Sequence, residues 1–480
     1  MVTERDERHS GHDTRVPSLR DTLASLRGGH TTARAVTEMA LARAEASRKA
    51  FNAFSVIDWD RALRAAAESD RRYAAGQPRP LEGLPIAVKD MIDTRGLETR
   101  YGSLAYVGHV PDTDADVVGT LVDQGAIVVG KTNTHEFAWG VTTSSAAFGD
   151  TLNPLDRNRT PGGSSGGAAA AIAAGAVAAG LGTDTGGSVR IPAALCGVAG
   201  FKPTLGALPT RGIFPLAPTL DHPGILGRGV DDITVLARAS GIDIPESDAW
   251  LSARLGVLAY VPPVPPDTAV FTASAQAVRM LRTLFTCEYV DPEDLFDGVY
   301  DAFAAIVLTE GGVEHFRRSD EARIAAHYSE ETRQRLGLAK EVSLRDYASA
   351  QQVRHRFMHR LKAMMASLDY LVLPTCACLP PTLDASAVSI GAWSGTVRQA
   401  LMTYTAPFNV AGFPAISIPL WSTGCALPAA MQIVAHPGDD GALLKIAAEI
   451  ERIVHADPGP ASHPASHPAS SPAAEGAMHP

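Results

Sequence analysis

The chain has 480 residues, 45% of them hydrophobic and 20% charged, which is globular composition rather than disordered or fibrous. Its 42 basic residues against 52 acidic ones, with a pI near 5.8, exclude a basic footprint for nucleic acid. Five scattered cysteines (Cys196, Cys287, Cys376, Cys378 and Cys425) make no disulfide framework and fit a reducing compartment. The lone Cys376-x-Cys378 carries little weight as a metal motif.

The first residues, "MVTERDERHSGHDTR", are charged and lack the apolar core of a secretory signal. The most apolar window, Ala168 to Leu181, is glycine-rich and well short of the roughly 20 residues that a membrane helix needs. The expectation is a soluble, cytoplasmic protein with no membrane partner. At the other end, "PGPASHPASHPASSPAAEGAMHP" buries too little apolar area to offset chain entropy. We therefore expect a disordered N-terminus over 1–16, one folded domain over 17–457 and a disordered tail over 458–480.

In chain order, Ser18 and Asp21 make a capping-box-like start. Leu19, Leu23 and Leu26 then share a helical face before Gly28-Gly29 stops it. Further helices are predicted from about Thr32 to Ala46 and from about Asp60 to Ala75. "LPIAVK" (Leu84 to Lys89) reads as a short buried strand ending on a charge. "DADVVGTLVDQG" followed by "AIVVGK" reads as helix, glycine cap, strand. The alanine-rich run after Ser165 predicts a helix, Val177 to Gly182 a strand, and the segment after Ser188 another helix with Pro192 in its first turn. Tyr347, Val353, Phe357, Leu361, Met364 and Leu368 fall at helical spacing ahead of the strand "YLVLP". "FPAISIPL" and "AAMQIVA" read as neighbouring strands, and a last helix carries Leu443, Ile446, Ile450 and Ile453. This alternation predicts an α/β fold: a central mixed, largely parallel twisted sheet with helices on both faces. The stretch from about Ile244 to Leu344 carries no readable signal for specificity.

Two glycine-serine stretches invite a chemical reading: "TPGGSSGGAAAA" from Thr160 and "GLGTDTGGSVRIPA" from Gly180. Ser188 follows Gly186-Gly187, where missing side chains let successive N–H groups point at one spot, and it precedes a helix N-terminus. A serine nucleophile needs such donors for its oxyanion, each worth roughly 2.7–4 kcal/mol of barrier. It also needs a base. The hydroxyls of Ser164 and Ser165 could relay a proton to Lys89, provided burial lowers the lysine's proton affinity. A glycine-rich helix cap and an ordinary lysine are the plain alternatives for each residue taken alone. Gly163-Ser164-Ser165-Gly166-Gly167 also satisfies the GxSxG string of a hydrolase elbow, which needs an acid and then a histidine downstream. Gly180-Leu181-Gly182 hints at a dinucleotide loop, but its third glycine is misplaced and no cofactor is implied.

The segments "PLEGLPIAVKDMIDTRGLETRYGS", "TPGGSSGGAAAAIAAG", "GLGTDTGGSVRIPAALCGVAGFKPT" and "TLDHPGILGRGVDD" resemble the amidase signature family in order and spacing. The likeness returns at "YTAPFNVAGFPAISIPL" and "PAAMQIVAHPGDDGALLKIAAEIE". The family uses a Ser–cisSer–Lys triad, a variant of nucleophilic serine chemistry. The resemblance implies Ser188 as nucleophile, Ser164 as the relay serine after a cis peptide bond, and Lys89 as base. The separations, 24 residues from Ser164 to Ser188 and 75 from Lys89 to Ser164, agree with the family's spacing. It further implies an oxyanion hole of the Thr185, Gly186, Gly187 and Ser188 amides, supported by Ser165, Asp184 and Arg190. Cys196 matches a core position, and Gly206 with the prolines from Pro209 to Pro218 reads as turns.

"HEFAWGVTTSSAAFG" supplies Phe137, Trp139, Ser145 and Phe148 to a segment expected to border the acyl pocket. Ser145 stands where the family often has asparagine. With no lysine or arginine in this segment, the expected ligands are neutral and apolar. The reading is thus an amidohydrolase of small neutral aryl or alkyl amides, acting through an acyl-enzyme without metal or cofactor. Esters and carbamates are further candidate substrates, and the family's frequent dimers leave a homodimer open. The alternative is a protein resembling the glutaminase chain of tRNA-dependent amidotransferases. Ile191, where such chains frequently carry glutamine, speaks against it. A binding-only pseudoenzyme is disfavoured because every triad position is intact.

Overall fold

The computed structural model describes residues 16–246, 249–292, 294–421 and 425–456. Apart from Val16, the two termini expected to be disordered lie outside these residues. Thirteen strands form among the described residues: β1 (Phe54–Ile57), β2 (Pro85–Lys89), β3 (Ile127–Thr132), β4 (Ala179–Asp184), β5 (Ala199–Lys202), β6 (His222–Gly227), β7 (Arg254–Val257), β8 (Thr286–Tyr289), β9 (Tyr370–Pro374), β10 (Ala387–Ile390), β11 (Trp393–Thr396), β12 (Ala415–Leu420) and β13 (Ala429–Ala435). Eleven of them build one sheet in the order β1-β3-β2-β4-β6-β5-β12-β13-β9-β7-β8, while β10 and β11 make a separate hairpin.

The sheet is mixed. Parallel pairing is confined to β3-β2-β4 and β9-β7-β8, and the centre between them is antiparallel. Helix-strand alternation in the sequence overstates the parallel share because β5, β6, β12 and β13 return without the crossover geometry of a βαβ unit.

Strand periodicity sorts the core into two faces. On β2, Ile86 and Val88 join one apolar cluster with helices Asp116–Asp123, Val230–Ala239 and Asp440–His455. Ala87 faces the other cluster, made with Ala33–Phe51, Trp59–Ala74 and Gly166–Ala173. Helices therefore cover both faces, as the α/β reading requires. The first helix spans Leu19–Arg27 and is capped by the Ser18 hydroxyl; the second and third start after side-chain caps from Thr32 and Asp58. The stretch without a sequence signal holds four helices: Thr268–Leu281, Val299–Arg318, Glu321–His327 and Glu330–Glu341. Among the described residues no helix is long and apolar enough to cross a membrane.

Candidate active site

Because β2, β3 and β4 run parallel, their carboxyl ends open on one edge of the sheet, the usual place for chemistry in such sheets. Lys89 is the last residue of β2 and Asp184 the last of β4. The loop carrying Ser164 enters the helix Gly166–Ala173, and the loop carrying Ser188 enters the helix Arg190–Cys196. The two loops are tied directly: the Ser165 amide donates to the Ser188 carbonyl at 3.1 Å. The Ser165 hydroxyl holds β4 from the same side, donating to the Thr183 carbonyl at 3.2 Å.

Lys89 is completely buried, and its Nζ donates to Ser164 Oγ and to Thr183 Oγ1, both at 2.7 Å. Burial pulls this amine down from 10.5 to about 7, with Asp184 and Asp221 pulling the other way. Ser164 is buried and follows a cis peptide bond from Gly163, while Ser188 keeps 5% exposure. Thr143 steadies the Ser164 loop: its hydroxyl donates to the Gly162 carbonyl at 2.8 Å and accepts from the Gly166 amide at 3.0 Å.

The loop expected to supply the oxyanion hole departs from that expectation at one amide. Gly187 N–H donates to Asp184 Oδ1 at 2.8 Å, so it is already engaged. The amides of Thr185, Gly186 and Ser188 donate to no other group among the described residues. A buried carboxylate must find donors, and Asp184 takes Gly187, Val189 at 3.1 Å and both arms of Arg190 at 3.0 and 2.9 Å. Burial alone would raise the Asp184 carboxyl; the Arg190 charge and its hydrogen bonds hold it well below the ordinary range instead. Arg190 reaches on to the Thr405 carbonyl, Gln432 and Asn409, so this pair anchors the loop to the far half of the chain. The glycines are required by space. A Cβ on Gly186 would lie 2.4 Å from Phe303 Cζ and 2.5 Å from Met402 Cε. At Gly187, with φ +129°, one would lie 2.2 Å from Thr405 Oγ1.

The four residues expected to line a pocket are not brought together. Phe137 is buried among Phe214, His315 and Tyr328, with ring centroids 5.0, 4.5 and 4.6 Å away, and Trp139 stacks on His315 at 5.5 Å. Both are core aromatics. Ser145 and Phe148 lie instead in a half-exposed turn, where the Phe148 amide donates to Ser145 Oγ at 3.0 Å. The backbone takes positive φ at Phe137, Ala138 and Thr143, which separates side chains that are close in sequence.

Nor is the surrounding charge what the segment alone suggests. Arg398 reaches the Trp139 carbonyl at 3.5 Å, and its charge acts on Tyr300, whose ring lies 6.2 Å from Phe303. Arg335, largely buried beside it, is lowered to about 10 by burial and by Arg398. Its Nη2 meets Glu331, which also bonds His135 at 3.0 Å, while Nη1 has no partner among the described residues. The basic groups arrive from nearly 200 or more positions downstream, beyond the reach of any local motif. Thr183, three residues ahead of the glycine pair, Thr143 in "HEFAWGVTTSSAAFG" and Asp221 in "TLDHPGILGRGVDD" all lie within motif stretches, but nothing local marks their contacts with the site. Among the described residues no group of three or more metal-ligating side chains is arranged to hold an ion.

Residues 35–444 match the family model described as Amidase. A glutamyl-tRNA(Gln) amidotransferase subunit from Chloroflexus aurantiacus is 34% identical over 474 residues, covering 90% of this chain and 95% of that protein. A solved structure described as an amidase superposes with a TM-score of 0.84 at 31% identity, covering 91% of this chain and all of that one. A 6-aminohexanoate cyclic dimer hydrolase gives 0.80 at 26% identity, covering 91% and 97%.

Proposed function

Since this chain belongs to the amidase signature family and is a hydrolase of carbon–nitrogen bonds, we propose that it cleaves linear amides through an acyl-enzyme on Ser188. The observation that carries the proposal is the 2.7 Å contact between Ser164 and a buried lysine whose proton affinity falls near neutrality. Ser188 Oγ attacks the amide carbonyl and passes its proton to Ser164, which passes its own to neutral Lys89. The amides of Thr185, Gly186 and Ser188 take the developing oxyanion. Collapse expels the amine, which takes the proton back along the same path. Water then repeats the sequence on the acyl ester and releases the acid. Esters and carbamates present the same carbonyl to the same nucleophile.

Two substrate readings divide the support. Small neutral amides are favoured by the groups nearest the oxyanion loop: Phe303 and Met402 against Gly186, and Ile191 against Gly187. A role within an amidotransferase, with glutamine as the amide and a partner protein to receive ammonia, is favoured by the curated relatives. The Arg335–Arg398 pair adds to it as a candidate for the glutamine carboxylate. Likeness in sequence weighs toward the second. The discriminating experiment measures kcat/KM of the purified chain for a neutral anilide, its carbamate analogue, malonamate and glutamine, with Lys89→Met as the inactive control. A tenfold preference for the anilide, about 1.4 kcal/mol in transition-state binding, supports the first reading. Glutamine turnover that appears only with a copurifying protein supports the second. Full activity in the Lys89→Met control would overturn the acyl-enzyme mechanism itself.

A further inference from the structure

Asp221 is a half-buried carboxylate with no cation within ion-pair distance among the described residues. It directly precedes β6, whose His222 pairs with Asp184 of β4, so it sits opposite Thr185 just past the end of β4. Thr185 Oγ1 donates to Asp221 Oδ1 at 2.6 Å. The Leu216 and Ala217 amides donate at 2.9 and 3.1 Å. An amide side chain in place of the acid would keep much of this bonding, yet even partial burial of a charge without a counter-ion carries a desolvation cost. The charge therefore calls for a role of its own.

The charged groups around Lys89 define that role. Asp184 lies in reach, but Arg190 grips it with both arms and largely offsets its field. Lys202 and His222 are both driven well toward their neutral forms by burial. On the far side, Lys131 sits 3.8 Å from Asp90. Glu310, on the helix Val299–Arg318, acts on Asp221 in the same direction as burial, raising its proton affinity. Among the described residues Asp221 is thus a negative charge that acts on Lys89 and that no cation pairs with. Thr183 and Thr185 line a cavity of about 70 Å³ together with Asp221 and His222, so the carboxylate and the lysine's own hydrogen-bond partner border one space whose remaining walls are mainly apolar.

We propose that Asp221 is a positioning residue of this active site, anchoring the oxyanion loop through Thr185 and supplying an unpaired negative charge that acts on Lys89. The inference rests on the Ser188–Ser164–Lys89 reading. Its consequence is directional: a negative charge favours protonated Lys89, so removing it makes the lysine give up its proton at lower pH. The test is the pH profile of kcat/KM for Asp221→Asn beside wild type. The acid limb should move down by about half to one pH unit, because a charge beyond ion-pair distance acts more weakly than a contacting one. Asp221→Glu, which keeps the charge, should leave the midpoint in place even if kcat falls. A purely structural Asp221 would lower kcat at every pH without moving the midpoint, and a superimposable midpoint in Asp221→Asn overturns the proposal. Should that variant not fold, Thr185→Val carries the test. Loss of its donor should cut kcat at least tenfold with KM changed less than twofold, and wild-type kcat there overturns the anchoring role. An active Lys89→Met protein would instead strike the triad reading, so the two failures are distinguishable.

Discussion

Replacing Lys89 by Met should abolish turnover and, at neutral pH, stabilise the protein. Burial moves this lysine from 10.5 to about 7, which at about 1.4 kcal/mol per pH unit represents roughly 4–5 kcal/mol of stability withheld at pH 7. Methionine carries no such burden, but it leaves the hydroxyls of Ser164 and Thr183 without their shared partner. Each lost hydrogen bond costs about 1 kcal/mol, so the net gain at pH 7 is about 2 kcal/mol. The sign of its pH dependence follows from the proton balance. The unfolded wild-type chain keeps the Lys89 proton up to about pH 10.5, whereas the folded chain sheds it above about pH 7. Between those limits unfolding takes up a proton, so wild-type stability rises with pH relative to the variant. The advantage of Lys89→Met should shrink by about 2 kcal/mol between pH 7 and 9 and be close to zero there. The other buried amines, Lys131 and Lys202, are present in both proteins and cancel. Urea unfolding of both proteins at pH 7, 8 and 9 measures the difference. A variant less stable than wild type at pH 7, or an advantage that stays constant with pH, would refute the claim that a strained neutral lysine occupies this site.

The remaining expectations concern rate and integrity. Ser188→Ala should lose about 10⁴-fold or more in kcat, and Ser164→Ala less, since a water can stand in for a relay hydroxyl; the reverse ranking in single-turnover assays would contradict the relay. Wild-type kcat/KM should rise along one ionisation near pH 7, standing about tenfold below its plateau at pH 6. A pH-independent rate from 5.5 to 8.5 would count against neutral Lys89 as the base. Chelator should leave the rate unchanged, and loss restored by a divalent ion would point to a different mechanism. Arg190→Met leaves the Asp184 carboxylate buried without its cation, and should cost about 3–5 kcal/mol in urea unfolding; a change below about 1 kcal/mol would show that the pair is dispensable.

What the sequence could convey divides by range. Periodicity and caps placed the helices beginning near Leu19, Thr32 and Asp60, because those signals lie within a few residues of one another. The "LPIAVK" strand and the alanine helix after Ser165 were visible for the same reason. The Lys89, Ser164 and Ser188 stretches stood out because glycine and serine in an apolar setting are unusual. Illegible were contacts made by fold closure. No local pattern reveals that Gly187 spends its amide on Asp184, or that Arg398 meets Trp139 across 259 residues. Phe137 and Trp139 looked like pocket walls because aromatic residues serve equally well in cores and pockets; only His315 and Tyr328, brought in by later segments, decide for the core. The helices between Thr268 and Glu341 went unread for a similar reason. Glu330–Glu341 buries only Thr332 and Leu336 among its residues, and Val299–Arg318 buries apolar, glycine and polar residues alike, so neither shows a clean stripe.

The site also offers a reason why one buried cation among several would serve as the base in the proposed mechanism. Four sit close to the carboxyl edge of the sheet: Lys89, Lys131, Arg190 and Lys202, all fully buried. Arg190 is fixed by two bonds to a carboxylate and cannot lose its proton in any working range. Lys131 faces Asp90 at 3.8 Å and donates to the Ile92 carbonyl and Thr99, so its charge has a partner to hold it. Lys202 gives its protons to the Pro203 and Phe413 carbonyls, acceptors that have no proton to return. Lys89 differs from all three: both of its 2.7 Å partners are hydroxyls, and a hydroxyl both accepts and donates. There, with no carboxylate in ion-pair contact among the described residues to hold its charge, a neutral amine can take a proton from the group it touches. Lys131, which also meets a hydroxyl at Thr99, keeps Asp90 beside it. Burial makes all three lysines reluctant to hold charge, but the chemistry of their partners decides which reluctance is useful. Converting Thr183 to Val tests this, since it leaves Lys89 with Ser164 as its one short contact. The expected result is a kcat loss of about tenfold, as one orienting hydrogen bond is worth about 1–1.5 kcal/mol. Undiminished kcat would mean that Ser164 alone holds the amine in place.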